Sequence, residues 1–330
     1  MNKGMSSMKA TVSTLIYGMW FCLSISLSGT SLAATSDSIA FLNKVDAATV
    51  LTQEDDFVGG ISQFDMASRM KRADSPSKAE YLAFVASQTL DWSEQERIAV
   101  EQAYGKILPK LKQLNVALPK PIQFIKTSGL EEGGAAYTRG QAIILQQKQL
   151  SNADGLPGLV AHEILHIFSR FNPEVKQKLY QAIGFYPVGE IAFPSDLLKQ
   201  KITNPDAPIN NFAIQVSYQG NMVWAVPILY SAEPQYSLEK GGEFFDYLEF
   251  NFVIVGDSEQ ASTNIYDPDN AQIVKVSELK GFFKQIGRNT NYIIHPEEII
   301  AENFSFLMTG ETELKSPKLL HHIEEVFLAQ

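Results

Sequence analysis

The sequence is almost without cysteine and has no strongly basic segment. Of its 330 residues only Cys22 is a cysteine, and 27 lysines and arginines stand against 37 aspartates and glutamates, which gives a formal net charge of -10. A fold held together by disulfides is therefore excluded, and no basic stripe is present to bind nucleic acid. Internal repeats and low-complexity tracts are also absent, which excludes solenoid and fibrous architectures.

The first residues have the layout of a secretory signal. Lys3 and Lys9 precede an apolar run at about 11–27, and the small residues of SLA at 31–33 suit a cleavage site. We expect cleavage near Ala33, export to the periplasm or secretion by a bacterial-type pathway, and no stable membrane insertion afterwards. A single uncleaved membrane anchor is the alternative, although serine and glycine interrupt the apolar run.

Hydrophobic periodicity after the signal predicts an α+β protein. The predicted segments, in chain order, are the signal at 1–33, a poorly patterned leader at 34–77, a part with helices and a small mixed sheet at 78–186, a β-rich insertion at 187–275 and a helical C-terminal part at 276–330. Three interpretations of the leader stay open: a propeptide, a segment that binds a partner, or a disordered stretch.

Local signals mark individual elements within these segments. Ser93 and Glu96 have the spacing of a capping box and begin a predicted helix at 93–114. The segment AAYTRGQAIILQ at 135–146 alternates and then turns apolar, which predicts one strand. In the β-rich insertion, QGN at 219–221 is typical of a hairpin turn between two strands.

The most specific feature is the segment AHEILHIFSR at 161–170. A helix has about 3.6 residues per turn, so His162 and His166 project from one face and can contact the same metal ion. Glu163 follows the first histidine and is placed to act as a general base on water that the metal activates. Burial of the helix is predicted from its apolar residues Leu159, Val160, Ile164, Leu165 and Phe168. Two buried histidines with ordinary hydrogen bonds are the alternative, but they leave the carboxylate in the base position unexplained.

The motif has a second part far along the chain. The metzincin pattern requires a glycine and a third histidine on the same segment, and it is excluded because Ser169 and Asn172 occupy those positions. HEILH together with EIIAE at 298–302 instead resembles the gluzincin zinc metallopeptidases, the group that contains thermolysin. GGAAYTRGQAIIL at 133–145 resembles the edge strand along their substrate cleft. The stretches that this resemblance covers are roughly 78–172 and 290–310.

The resemblance implies a zincin-like catalytic core that binds one Zn²⁺ ion. It carries over His162, His166 and Glu298 as the metal ligands. It also carries over Glu163 as the base and Glu302, one turn after Glu298, as an acid that hydrogen-bonds a histidine ligand. The implied activity is hydrolysis of peptide or protein substrates.

Two other residues compete with Glu298 for the position of third ligand. Glu190 follows His166 at a much shorter separation, and His295 directly precedes the predicted ligand helix. The separation between His166 and Glu298 is longer than in thermolysin-like enzymes, so both alternatives stay open. His295 fits a cap at the start of that helix equally well.

Peptide hydrolysis also needs a hydrogen-bond donor for the oxyanion that develops on the attacked carbonyl. Tyr292 and His295 are nearest to the predicted ligand helix and are assigned as catalytic candidates. Ala136 and Tyr137 are predicted on the edge strand that borders the substrate. On the same strand, Tyr137 and Arg139 are further candidates for the donor.

The sequence thus predicts an exported zinc metallopeptidase and leaves open whether it is an endo- or an exopeptidase. The alternatives are a zinc hydrolase of a non-peptide amide and a catalytically silent binding protein that a metal stabilises. His321 and His322 lie in a C-terminal amphipathic pattern without acidic partners at ligand spacing. They are expected to be solvated or to cap a helix.

Overall fold

The structure, a computed structural model, describes residues 38–257 and 266–330, so the predicted signal lies outside the described residues. The helices are α1 Lys44–Leu51, α2 Asp56–Gly60, α3 Gln63–Arg69, α4 Lys78–Ser87, α5 Glu94–Gln113, α6 Leu156–Phe171, α7 Pro173–Gln181, α8 Phe282–Ile286, α9 Pro296–Thr309 and α10 Pro317–Leu328. The strands are β1 Ile39–Phe41, β2 Thr89–Leu90, β3 Ile122–Thr127, β4 Tyr137–Arg139, β5 Ala142–Gln146, β6 Phe185–Pro187, β7 Phe212–Tyr218, β8 Asn221–Ser231, β9 Leu248–Gly256 and β10 Ile273–Lys275. The prediction of an α+β protein is confirmed.

The first sheet is mixed and has the strand order β1-β3-β5-β4, with β2 paired to β3. Strand β3 is parallel to β1 and β5, whereas β4 is antiparallel to β5 and forms an edge. The prediction of one strand at 135–146 was wrong, because the chain reverses between β4 and β5. Gly140 has a φ of +56°, a left-handed conformation that glycine adopts without steric cost, and this permits the tight turn.

The leader is an integral part of this fold. Strand β1 pairs with β3, and Arg69 at the end of α3 is buried among carboxylates. Its guanidinium lies 2.5 Å from Asp65 Oδ1 and 2.7 Å from Glu132 Oε1. Over residues 38–77, the interpretation of the leader as a disordered stretch was wrong. Weak hydrophobic periodicity reflects short helices that are held by polar contacts as well as by apolar packing.

The second sheet is antiparallel and has the order β10-β9-β8-β7-β6. It coincides closely with the β-rich insertion predicted at 187–275. Strands β7 and β8 form the predicted hairpin, in which Gln219 and Gly220 have φ values of +49° and +90°. These positive values match the twist that short hairpins require.

Helix α6 lies in the centre of the main core and packs against α5 and α9. Its residues Val160, Ile164, Leu165 and Phe168 are fully buried. Burial of each such side chain contributes roughly 1.5–3 kcal/mol relative to exposure. The two central helices are thereby fixed against each other, which also fixes the polar side chains that they direct towards each other.

Among the described residues, no helix combines the length and the apolar character needed to cross a membrane.

Candidate metal centre

Helices α6 and α9 bring the two histidines of the motif to one carboxylate. His162 Nε2 lies 3.1 Å and His166 Nε2 lies 3.6 Å from Glu298 Oε2. Donor atoms around a tetrahedral zinc ion are separated by about 3.3 Å, since each bond is about 2.0–2.1 Å long. The three side chains are buried, and their donor atoms have separations that suit a single divalent ion.

Each histidine uses its other ring nitrogen to contact a second carboxylate. His162 Nδ1 lies 3.1 Å from Glu302 Oε1, and His166 Nδ1 lies 3.1 Å from Glu297 Oε1. Such contacts fix the tautomer in which Nδ1 carries the proton and Nε2 is available to a metal. Glu302 thus lies where the resemblance places the supporting acid, whereas Glu297 was not predicted.

Glu297 is fully buried and has several donors. The hydroxyl groups of Ser169 and Tyr180 donate to it, and Lys176 Nζ lies 3.4 Å from Oε2. Burial alone would raise its pKa, but Lys176 and His166 hold the pKa of this carboxyl well below its usual range. It therefore remains ionised and can orient the imidazole of His166.

Glu298 is oriented from its other side by a loop of the insertion. Asn204 Nδ2 donates to Oε1 at 2.6 Å, which leaves Oε2 directed at the two histidines. Burial would raise the pKa of Glu298, but His166, His162 and the amide of Asn204 lower it to about 2. A charged carboxylate with one free oxygen is suited to bind a metal ion.

Carboxylates also act on the histidines, and one of them is Asp206, two residues after Asn204. Burial lowers the pKa of His166, but Asp206 and Glu298 outweigh burial and raise it to about 9. The pKa of His162 is also raised well above its usual value, because its hydrogen bonds to Glu298 and Glu302 outweigh burial. The centre therefore attracts positive charge, and a metal ion would take the place of protons on the two rings.

Glu163 lies beside the histidines and has an unpaired oxygen. Only 3% of the residue is exposed, and Oε2 has no hydrogen-bond partner among the described residues. Burial and the nearby Asp206 raise the pKa of Glu163 to about 8. Since buried polar groups are normally paired, the unpaired carboxylate makes Glu163 a candidate functional group.

Asp206 is a further carboxylate at the centre that the sequence did not reveal. Its carboxylate approaches Glu163 and His166, and the three donor atoms lie within 4.8 Å of one another. Asp206 Oδ1 accepts hydrogen bonds from the backbone N–H of Thr138 at 2.8 Å and from its hydroxyl at 2.5 Å. Its segment, TNPDAP, has the composition of an ordinary turn and contains no metal-ligand spacing.

Of the four predicted oxyanion donors, Tyr292 lies near the histidines. Its ring centroid is 6.3 Å from that of His162, and both residues line a cavity of about 500 Å³ together with Glu163. Although 39% of Tyr292 is exposed, burial of the phenol and the charge of Glu298 raise its pKa well above the usual value. Its hydroxyl therefore stays protonated and can donate.

His295 has a different position. Its Nδ1 accepts a hydrogen bond of 3.0 Å from the backbone N–H of Glu297, so it caps the start of α9. Burial and the charge of Lys176 lower its pKa to about 4, which keeps the ring neutral and able to accept. His295 does not belong to the cluster that His162, His166 and Glu298 form, because the cap directs its ring to the backbone of its own helix.

The predicted edge strand borders the cavity only at its start. Ala136 lines the cavity, but Tyr137 is buried and its hydroxyl lies 3.4 Å from Glu131. Arg139 is held by Asp55 at 2.5 Å. Tyr137 and Arg139 were therefore wrong as oxyanion donors, because the alternation of the strand directs them into other contacts.

Glu190, the other rival for the third ligand position, is exposed, and so are the two C-terminal histidines. Glu190 lies in the segment after β6 and does not belong to the cluster of His162, His166 and Glu298. His321 and His322 are exposed on α10, and His322 Nδ1 lies 3.4 Å from Glu325.

No protein-family model matches the chain, and neither curated proteins nor solved structures give a match. The functional interpretation therefore rests on the geometry of the site.

Proposed function

We propose that the protein is an exported zinc-dependent hydrolase that cleaves peptide bonds, built on a zincin-like core. The observation that supports this most directly is the convergence of His162, His166 and Glu298 beside Glu163. Three buried donors suit one metal, and the unpaired carboxylate adjoins them. Catalytic zinc centres normally have three protein ligands and keep one position open for water or substrate.

In this proposal zinc and Glu163 have separate roles in the hydrolysis. Zinc, when bound, supplies a Lewis acid that polarises the attacked carbonyl and makes water more acidic. Glu163 takes a proton from the attacking water while the oxygen of that water forms a bond to the carbonyl carbon. It then gives a proton to the amide nitrogen as the carbon–nitrogen bond breaks.

Other residues orient these groups. The hydroxyl of Tyr292 donates to the carbonyl oxygen as negative charge develops there, which lowers the barrier most if the donor is already in place. Glu297 and Glu302 keep the Nε2 atoms of the two histidines free of protons and directed at the centre. Asn204 keeps one oxygen of Glu298 directed at the same point.

The variant Glu163→Gln tests this assignment. It should retain about one zinc per chain, because Glu163 is not a ligand, and lose roughly 10²- to 10⁴-fold in hydrolysis of a denatured protein and of short peptides, the usual contribution of a general base. Zinc is measured by atomic emission and hydrolysis by the appearance of free amino groups. Glu190→Gln is the matched control, since Glu190 is an exposed glutamate outside the cluster, and it should resemble the wild type.

Hydrolysis within about tenfold of the wild-type rate in zinc-loaded Glu163→Gln would remove Glu163 from the mechanism. A wild-type protein that binds zinc and leaves every peptide intact would favour the non-peptide or the catalytically silent alternative.

A further inference from the structure

The cavity in front of His162 is strongly acidic. Four carboxylates line its volume of about 500 Å³, those of Glu163, Asp206, Glu298 and Glu302, and no lysine or arginine is among the described residues that line it. Apolar side chains, including those of Leu159 and Phe245, form other parts of the wall. A ligand of this cavity should therefore combine positive charge with an apolar group.

The metal accounts for only part of this negative charge. Of the four carboxylates, Glu298 is the one among the proposed metal ligands, and Glu302 is hydrogen-bonded to His162. Asp206 remains. Its Oδ1 is occupied by Thr138, but no hydrogen-bond donor among the described residues contacts its Oδ2. Asp206 lines the cavity next to the buried and unpaired Glu163, so a cationic group of a ligand can bind between the two carboxylates.

Asp206 belongs to a short segment that contacts both helix α9 and strand β4. Residues 204–208, here called the strap, follow Thr203, whose N–H and hydroxyl donate to Asp65 at 3.1 Å and 2.8 Å. The strap is also held by the bond from Asn204 to Glu298 and by the bonds from Thr138 to Asp206. Three points of attachment fix Asp206 relative to the metal ligands.

Asp206 of the strap borders the acidic cavity. A second cavity of about 620 Å³ lies beyond it and is lined by Thr138 and Arg170. Among the described residues, Asp206 alone lines both cavities. Since Asp206 also occupies the N–H that Thr138 presents at the edge of the sheet, a substrate chain cannot pair with β4 there and continue past the strap. An extended substrate chain that follows β4 would therefore stop at Asp206.

We propose that Asp206 binds the α-ammonium group of the substrate, so that the protein removes residues from the amino end of peptides. This inference rests on the proposed function. In an amino-terminal residue the α-nitrogen is two bonds, or about 2.5 Å, from the carbonyl carbon that is attacked. The ammonium must therefore lie close to Glu163, and the carboxylates of Asp206 and Glu163 lie within 4.8 Å of each other. The ammonium of a lysine side chain is several bonds further from that carbon and does not fit.

Two substrates and one variant test this assignment. Leucine p-nitroanilide should be hydrolysed by the zinc-loaded protein, whereas N-acetyl-leucine p-nitroanilide, which lacks the charge, should react at least about 100-fold more slowly. In Asp206→Asn, KM for the free amine should rise roughly 10- to 100-fold, as expected for loss of a hydrogen bond between charged groups. Asparagine retains an oxygen for Thr138, so the strap should keep its position. Asp196→Asn is the control, since Asp196 is exposed and outside both cavities.

A binding measurement separates this inference from the proposed function. Leucinol has the same ammonium and side chain but no bond to cleave, and calorimetry should show that it binds the wild type, with or without a chelator, and binds Asp206→Asn roughly 10- to 100-fold more weakly. N-acetyl-leucinol should not bind. If zinc and hydrolysis are absent but leucinol binding still depends on Asp206, the hydrolase fails and the amine site stands. Equal hydrolysis of the free and acetylated anilides, equal leucinol binding by the variant, or loss of zinc from Asp206→Asn would overturn the inference, the last by making Asp206 a metal ligand.

Discussion

The two histidines of the motif lie on the same helix and contact the same carboxylate, but their outer surroundings differ. The His166 side chain is 1% exposed and its partner Glu297 is fully buried, whereas the His162 side chain is 11% exposed and its partner Glu302 is 30% exposed. Both pairs have the same distance of 3.1 Å. The two pairs therefore contribute differently to the metal centre. The buried pair of His166 and Glu297 connects the centre to the core, and the more exposed pair of His162 and Glu302 orients the ring that faces the cavity.

The largest effect should come from the residue that both histidines share. Glu298→Ala removes one of the three proposed zinc ligands. Zinc affinity should therefore fall by more than roughly 100-fold, the upper end for loss of a residue that hydrogen-bonds a histidine ligand. The affinity is measured by competition with a chromogenic chelator. Glu190→Ala, the exposed control, should keep the wild-type affinity. If Glu298→Ala binds zinc as well as this control does, Glu298 is not a ligand and the likeness to gluzincins is lost.

The sequence predicted those residues of the centre that follow a helical spacing and did not predict the others. His162 and His166 are four residues apart, and so are Glu298 and Glu302. This spacing places each pair on one face of its own helix, and it is visible in the sequence. Glu297 is adjacent to Glu298 and therefore points about 100° away from it. Its contact with His166 depends on how the two helices cross, which no local pattern encodes. The doublet of glutamates after a proline was the only available signal.

The position of Asp206 was not predicted for a similar reason, because it depends on contacts between distant segments of the chain. Asp206 reaches the centre because Thr203 is anchored to Asp65 in the leader and Thr138 lies at the edge of the sheet, and all of these contacts join residues far apart in sequence. The strand pattern at 135–146 concealed a reversal, because Gly140 was the only break in an otherwise suitable strand. The fold class and the long helices were predictable from periodicity, whereas the polar contacts between segments were not.

A smaller effect should follow from disturbing the buried pair. Glu297→Gln removes the charge that Lys176 and His166 face, so zinc affinity should fall by about 100-fold, near the upper end for such partners. The free energy of unfolding of the metal-free protein should also fall, by about 1–3 kcal/mol, because buried donors lose a charged acceptor. Chelator competition gives the first value and denaturant unfolding in a chelator gives the second. Unchanged values for both would mean that the buried pair does not tie the centre to the core.

The smallest effect should come from the exposed pair. Glu302→Gln removes the charge next to His162 Nδ1 but leaves an amide oxygen that can accept from the ring. With 30% of the Glu302 side chain exposed, water can also replace part of the contact. Zinc affinity should therefore fall by only about tenfold, the lower end for partners of histidine ligands. The free energy of unfolding without metal should stay within about 0.5 kcal/mol of the wild type, as is usual at exposed positions. Measured beside Glu297→Gln, this variant decides whether burial sets the rank of the two pairs, since a larger loss at Glu302 than at Glu297 would reverse that rank.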